Sequence, residues 1–341
     1  MKVSFLVTYY NQREYVKQSM DSIISIDKPC DWEILVGDDG STDGTIEEIN
    51  KYIVQYPNNI KLYVMPREAD KKYDSVRRAS ANRLNLLEHS KGDIFCTLDG
   101  DDFYCDKKFI KEAIEIFNKN KNISIIAYGY NYVNNGIFSD DVILPAEVSC
   151  QQIDKRIFLE KFYLHAGGCV HRKVFDDDRI AYIKKLGFFD DNNIVINSLN
   201  YGEMYVANRS IYAYRQTGES VYTSMSELEQ AILNVQGMDV DIRLIGDEFK
   251  ESIKRRYAAS IILMYIWKNR IRQLFGDDKC QKYKEGCKNL RPSFCYNILK
   301  YNKLSKKEKD IFKLEIKHMV CTNVFYTVKQ TLKYWLKRRL K

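Results

Sequence analysis

A chain of 341 residues with 45% hydrophobic content can bury one large core or two ordinary ones, and its five prolines argue against a disordered protein. Nine cysteines without C-x-x-C spacing argue for reduced thiols and against a disulfide framework or a zinc site. The net charge of +8 hides a split: residues 1–250 hold 30 Lys+Arg against 39 Asp+Glu, and residues 251–341 hold 24 against 7, a basic appendage on a mildly acidic body.

MKVSFLVTYYN is too short in apolar residues for a signal peptide and reads as a first strand, VSFLVTYY (3–10). A helical pattern over 14–26 follows, with apolar Tyr15, Met20, Ile23 and Ile24. WEILVGDD (32–39) is a second strand ending in acid. STDGTIEEINKYIVQY (41–56) opens a helix with Ser41 or Asp43 as N-cap. IKLYVM (60–65) is a strand, 75–90 a helix, DIFCTLD (93–99) a strand, 107–120 a helix and ISIIAYGYNYV (123–133) a strand. Residues 156–223 read as a mixed run of short strands, and two long amphipathic helices are expected from Ser226 and Phe249. No stretch reaches about 18 apolar residues, so no transmembrane helix is expected. The longest candidate, AASIILMYIW (258–267), runs at once into KNRIR.

Strand–helix alternation with continuous apolar strands predicts an α/β fold with a mostly parallel sheet covered on both faces. Ligands of such sheets bind outside the carboxyl ends of the strands. Thr8–Asn11, Asp38–Asp43 and Asp99–Asp102 all fall there. Asp99, Asp101 and Asp102 in CTLDGDDFYC repel one another, and the clustering suits a Mg²⁺ or Mn²⁺ ion that also holds a diphosphate; the bland alternative is a polar turn. In VGDDGSTDGT, Gly40 and Gly44 allow a tight turn and Asp43 a helix cap, but Asp38 and Asp39 after an apolar strand suit a base N–H or ribose hydroxyl.

TYYNQREYVKQSMDSI, WEILVGDDGSTDGT and KGDIFCTLDGDDFY, in this order and spacing across roughly residues 1–130, resemble the nucleotide-sugar motifs of the family 2 inverting glycosyltransferases, which have the GT-A fold. The resemblance implies nucleoside contacts from Thr8, Tyr10 and Asp39, an Asp-x-Asp motif at Asp99 (ribose side) and Asp101 (metal), and a base or phosphate contact from Arg83, with Arg77 and Arg78 as further candidates on that helix. It implies a catalytic base at Asp191 in LGFFDDNNIVINSLNYG, with Asp190 standing where the family has Glu. It also implies a diphosphate contact from Arg215 in IYAYRQTGES, followed by Ser220 in a loop over the donor. For each residue a structural role is the competing reading, an N-cap in the case of Asp191. Asp176–Asp178 read as a solvated loop. His165 and His171, flanking Gly167–Gly168, read as hydrogen-bonded residues before metal ligands, and Cys169 as packing.

The expected domains are 1–225, catalytic, with a nucleotide-sugar half (1–130) and an acceptor half (131–225), and 226–341, a helical region ending in a basic amphipathic tail. That tail, FYTVKQTLKYWLKRRLK (325–341), interleaves apolar and cationic residues and suits either an anionic membrane surface or packing back on the catalytic body. No nucleic-acid module accompanies it. The expected function is metal-dependent (Mn²⁺ or Mg²⁺) inverting transfer from a nucleotide-diphosphate sugar, a UDP-sugar by family habit, to a glycan or lipid-linked acceptor in surface-polysaccharide assembly. The expected location is cytoplasmic, at the inner face of the cytoplasmic membrane if the tail binds lipid. A sugar nucleotidyltransferase and a non-catalytic scaffold subunit are the rival readings; the first lacks a Gly-rich phosphate loop at Thr8–Glu14, and the Asp190–Asp191 departure keeps the second open.

Overall fold

The computed structural model describes residues 1–67, 75–140, 148–161, 164–217 and 227–258, with isolated positions outside these ranges. Met1–Ser224 with Asp239–Phe249 form one compact unit, and Met225–Met238 with Lys250–Lys341 a second. The basic tail and Ser220 lie outside the described residues.

The first half alternates as its sequence periods dictate: β1 (Lys2–Tyr9), α1 (Arg13–Ile24), β2 (Asp31–Asp38), α2 (Thr45–Gln55), β3 (Ile60–Val64), α3 (Ser75–His89) and β4 (Ile94–Asp99). These four strands are parallel neighbours in the order β3-β2-β1-β4. The chain steps outward from β1 to β3 and then crosses to the other side of β1, so the order reverses between β1 and β4. A ligand crevice is expected at such a reversal. Register places Thr8 beside Asp99 and Tyr9 beside Asp38 at that end.

The two-residue period of a strand decides which face each group serves. Val3, Phe5, Val7 and Tyr9 of β1 join Ile34 and Val36 of β2 and Ile94, Cys96 and Leu98 of β4 in one core with α1 and α2. The intervening residues, Thr8 and Asp99 among them, face α3, which packs on β1 and β2. Helix α2 begins later than expected. Asp38 accepts from both Ser41 N (2.7 Å) and Ser41 Oγ (2.6 Å), which holds the chain in a turn until Gly44 at φ +96°. Asp43 Oδ1 then accepts from Thr45 N at 3.0 Å.

The second half adds β5 (Phe103–Tyr104), α4 (Phe109–Lys119), β6 (Ile123–Asn134), β7 (Ile137–Phe138), β8 (Gln151–Ile153), α5 (Lys155–Lys161), β9 (Cys169–Arg172), α6 (Asp177–Leu186), α7 (Asp191–Ser198), β10 (Glu203–Arg215) and α8 (Glu227–Ile245). Strand β9 runs antiparallel between β4 and β6, and β10 lies parallel to β6. The sheet is thus mixed but mostly parallel, with helices on both faces. Over 156–223, where a mixed run of short strands is expected, the described residues form three helices, the short β9 and the 13-residue β10. Asp176–Asp178 form a helix start rather than a loop: Asp176 Oδ1 accepts from Arg179 N at 2.9 Å, and Gly187 at φ +67° ends α6.

Helix α7 is held from two sides. Asp190 caps it by accepting from Asn193 N (2.9 Å), while Asn193 Oδ1 accepts from Asp190 N (3.1 Å). Asp241 of α8, 0% exposed, accepts from Asn192 Nδ2 (2.6 Å) and Asn193 Nδ2 (2.5 Å). Arg179 donates to Asn197 Oδ1 (2.8 Å) and to Leu244 O (2.9 Å). Removing the Asp241 carboxylate leaves two buried amide donors without it, so Asp241→Ala is expected to lower unfolding free energy by about 2–4 kcal/mol, read by denaturant titration. A second outcome follows from Asp190. Burial, helped by the neighbouring Asp191 charge, pushes its carboxyl up to about 6 against the opposing Asn193 hydrogen bond. The folded state therefore keeps this proton where the unfolded chain has lost it. Its contribution to stability is full below the ordinary carboxylate pKa and is lost as pH rises through about 6. Asp190→Asn keeps the cap and cannot ionise. Its melting temperature relative to wild type should be lowest near pH 4 and rise to a plateau above pH 7; a difference that does not change with pH would contradict this.

Candidate active site

The crevice is organised around Arg83, carried to the rim by α3. Its Nη2 donates to both oxygens of Asp99, at 2.9 and 3.1 Å, and lies 3.6 Å from Asp191 Oδ1. Thr8 Oγ1 donates to Asp99 Oδ1 at 3.1 Å. Burial pushes the Asp99 carboxyl up, but Arg83 and Thr8 more than offset this and hold it below the usual carboxylate range. Burial likewise works against the Arg83 charge, and the Asp99 and Asp191 carboxylates outweigh it. His165 Nδ1 stands 3.9 Å from Asp191 Oδ2. Four residues chosen from sequence, Thr8, Arg83, Asp99 and Asp191, therefore meet at one point although they come from four elements.

Gly100 follows Asp99 because the fully buried Tyr9 ring occupies the space a side chain would need: a Cβ there would stand 2.1 Å from Tyr9 Cδ1. Asp101 comes next. Burial and the Asp99 charge push its carboxyl up to about 6, with Arg215 and Gln12 opposing. Asp102 is buried, accepts from Arg215 N at 2.8 Å and is pushed well above the usual range by burial and by Asp101 and Asp99. Arg215 Nε donates to the Asp101 carbonyl (2.6 Å) and Nη2 to Gln18 Oε1 (2.7 Å), with the guanidinium over the Tyr15 and Phe103 rings. Here Arg215 fixes the backbone that presents Asp101.

A carboxylate whose charge is opposed by burial and by a like neighbour is a hard oxygen donor that a divalent cation would stabilise, and Asp101 fits that part. Among the described residues no three His, Cys, Asp or Glu side chains converge on one point to hold a metal. An ion here would take most of its oxygens from a ligand's phosphates and from water, as Mg²⁺ commonly does.

The end of β2 is basic as well as acidic. Asp39, 7% exposed in its side chain, accepts from Arg78 Nε (2.6 Å) and Arg78 Nη2 (2.5 Å), and Arg67 Nε donates to its carbonyl (2.7 Å). The Arg67 guanidinium sits 4.2 Å over the ring of Tyr10, which is 40% exposed. Arg67 was not singled out from sequence, although its place just past β3, on the same rim, is a usable signal. Gln12 and Asp241 were missed too. Gln12 carries no pattern, and Asp241 lies on a helix far along the chain.

His171 stacks on Phe95 at the start of β4 (4.7 Å) and shares a hydrogen bond with Ser198 Oγ (2.8 Å). Burial pushes it down to about 3, so it is a core histidine away from the rim. Cys169 is buried packing. His165 alone of the pair reaches the site.

Comparison with known proteins bears on the family and the fold. EpsE of Bacillus subtilis (strain 168), itself named a glycosyltransferase only provisionally, is 28% identical over 128 residues, covering 38% of this chain and 42% of EpsE. Hyaluronan synthase of Pasteurella multocida is 31% identical over 238 residues, covering 58% of this chain and 23% of the synthase. The chain thus spans less than half the length of either relative. Among solved structures, S. aureus TarS 1–349 in complex with UDP superposes with a TM-score of 0.54 at 15% identity, covering 87% of this chain and 83% of that one. Mannosyltransferase PcManGT of Pyrobaculum calidifontis, in complex with GDP-Man and Mn²⁺, gives 0.50 at 13%, covering 98% and 82%. At these identities the two superpositions speak to the fold, which is GT-A. Residues 4–179 match the description "Glycosyl transferase family 2", and the chain belongs to that family.

Proposed function

We propose that this chain is a metal-dependent, inverting glycosyltransferase that moves a sugar from a nucleotide-diphosphate donor, a UDP-sugar, to a hydroxyl of a glycan or lipid-linked acceptor in surface-polysaccharide assembly. The observation that carries the reading is the Arg83 bridge, which sets the α7 carboxylate, Asp191, beside the strand-end carboxylate Asp99. The TarS structure solved with UDP supports the choice of nucleotide.

In this reading Tyr10, Arg67 and Asp39 receive the nucleoside, and Thr8 and Asp99 its ribose side. Asp101 would hold Mn²⁺ or Mg²⁺, which would supply positive charge to a diphosphate. Arg215 keeps the Asp101 backbone in place. Asp191 takes the proton of the acceptor hydroxyl as its oxygen forms the new bond at the anomeric carbon. The bond from that carbon to the diphosphate breaks with its electron pair on the diphosphate, and the centre inverts. Asp190 is the capping residue in this division of labour. The catalytic region proposed is 1–225 together with Asp239–Phe249, which share its compact unit, with the base carried in the acceptor half. The tail at 325–341 would meet an anionic membrane surface on the cytoplasmic side. Among the described residues no helix is long and apolar enough to cross a membrane.

Calorimetric titration of UDP and of GDP, with and without Mn²⁺, tests the donor site. UDP should bind with metal, and Asp101→Ala should weaken it by about tenfold or more. Asp191→Asn should keep UDP binding and lower transfer by about 10²–10⁴-fold. Failure of both nucleotides to bind under any condition would favour a non-catalytic scaffold.

A further inference from the structure

The groups that face the Asp191 carboxylate stand off from it. Arg83 Nη2 is 3.6 Å from one oxygen and His165 Nδ1 is 3.9 Å from the other, both longer than a hydrogen bond. The place of this carboxylate is therefore set by the backbone that carries it. Asp191 is the first residue of α7, between the capping residue Asp190 and the buried Asn192.

The two residues that follow Asp191 are fastened to one buried carboxylate. Asp241 Oδ2 accepts from Asn192 Nδ2 at 2.6 Å, and Oδ1 accepts from Asn193 Nδ2 at 2.5 Å. All three residues are at most 1% exposed. A carboxylate offers only acceptors, so it obliges both asparagines to present their amide N–H groups. For Asn193 this decides the other end of the amide as well: its Oδ1 points back and accepts from Asp190 N at 3.1 Å. Turned over, the amide would set donor against donor at both ends. Asp241 thus orients Asn193, Asn193 closes the cap on Asp190, and cap and first turn enclose Asp191. The far end of α7 is tied to the same stretch of α8. Leu244 O accepts from Asn200 Nδ2 at 2.6 Å and from Arg179 Nη2 at 2.9 Å, and Arg179 Nε donates to Asn197 Oδ1 at 2.8 Å.

We propose that Asp241 is a positioning residue for transfer. Acting through Asn192 and Asn193, it sets where the Asp191 carboxylate stands relative to Arg83 and Asp99, and so the turnover of the site, with no part in nucleotide binding. This rests on the reading of Asp191 as the base. Reacting groups must be held to within a fraction of an ångström, so a loosened carrier helix costs rate even when the protein stays folded.

The full chain is assayed with Mn²⁺ for release of UDP from a panel of UDP-sugars. Turnover is counted per UDP-binding site found by calorimetry, so that unfolded protein drops out of the number. Asp241→Ala should keep UDP affinity and donor KM within about twofold and lose about tenfold or more in turnover per site. Combining Asn193→Asp with Asp241→Asn restores the pattern with the charge moved: the amide at 241 can donate to the carboxylate at 193 and accept from Asn192, and that carboxylate still accepts from Asp190 N. The double variant should turn over within about threefold of wild type, whereas Asn193→Asp alone, which sets two buried carboxylates face to face, should fall about tenfold below the double. Turnover per site equal to wild type in Asp241→Ala would overturn the proposal and leave a purely structural anchor. So would a double variant that binds UDP yet turns over about tenfold below wild type. Where Asp241→Ala binds no UDP, Asn192→Ala, which cuts one of the two ties, takes its place with the same expectation and the same overturning result. Asp191→Asn, run alongside, separates the two readings. If it turns over like wild type, or if the wild type binds UDP but releases none from the panel, the reading of Asp191 falls and this proposal with it. If Asp191→Asn is inactive while Asp241→Ala is unimpaired, only the positioning role falls.

Discussion

One guanidinium ties this site together. Arg83 is mostly buried, and burying a cation is costly unless anions and hydrogen bonds compensate it. Here Asp99 and Asp191 do so from different halves of the chain. The arrangement is reciprocal: without Arg83 the two carboxylates would face each other across the crevice, with Thr8 beside Asp99 and His165 beside Asp191. The charge that makes the crevice foldable also brings the β4 end and the α7 start into one reaction volume.

The sheet supplies the space for this. Strand β4 pairs with β1 along six residues, as far as Thr8 and Asp99, but with β9 only at Ile94 and Phe95. Beyond Phe95 the β9 edge is no longer paired to β4, and the 3₁₀ turn Ala166–Gly168 packs against β4 instead. The reversal of strand order and this short pairing fall beside the same strand, and the polar residues of β1, β2 and β4 gather there.

Much of this was legible in the sequence where local rules dominate. Elements of the first half follow from continuous apolar strands and 3.6-residue helical periods. The rim residues follow from the rule that ligands sit at strand carboxyl ends. Thr8 and Asp99 stand at strand ends, whereas Asp191 could be named only through the resemblance to the family's base motif. What sequence does not carry is partnership. Nothing in IYAYRQTGES says that Arg215 will spend its Nε on the Asp101 carbonyl. Nothing at Asp38 says that it will hold Ser41 and delay α2. The second half misled because short apolar runs such as DDDRIAYIKKL read alike as strand or helix until the Asp176 cap and the Gly187 stop are weighed together. Arg67 and Asp241 went unnoticed for opposite reasons, the one being a lone cation in a loop and the other a buried acid with no motif around it.

The placement of Asp241 bears on where the working unit ends. The family match stops at residue 179, before Asp191 and well before the helix that steadies it. Residues Asp239–Phe249 belong to the same compact unit as the crevice although an excursion through Met225–Met238 separates them from it in the chain. A fragment cut at the end of the family match would retain the nucleotide side of the crevice and discard both the α7 carboxylate and its anchor. The smallest piece that keeps the crevice whole therefore runs through Phe249, and chimeras that exchange acceptor halves between relatives would have to carry this late helix along with the segment it fastens.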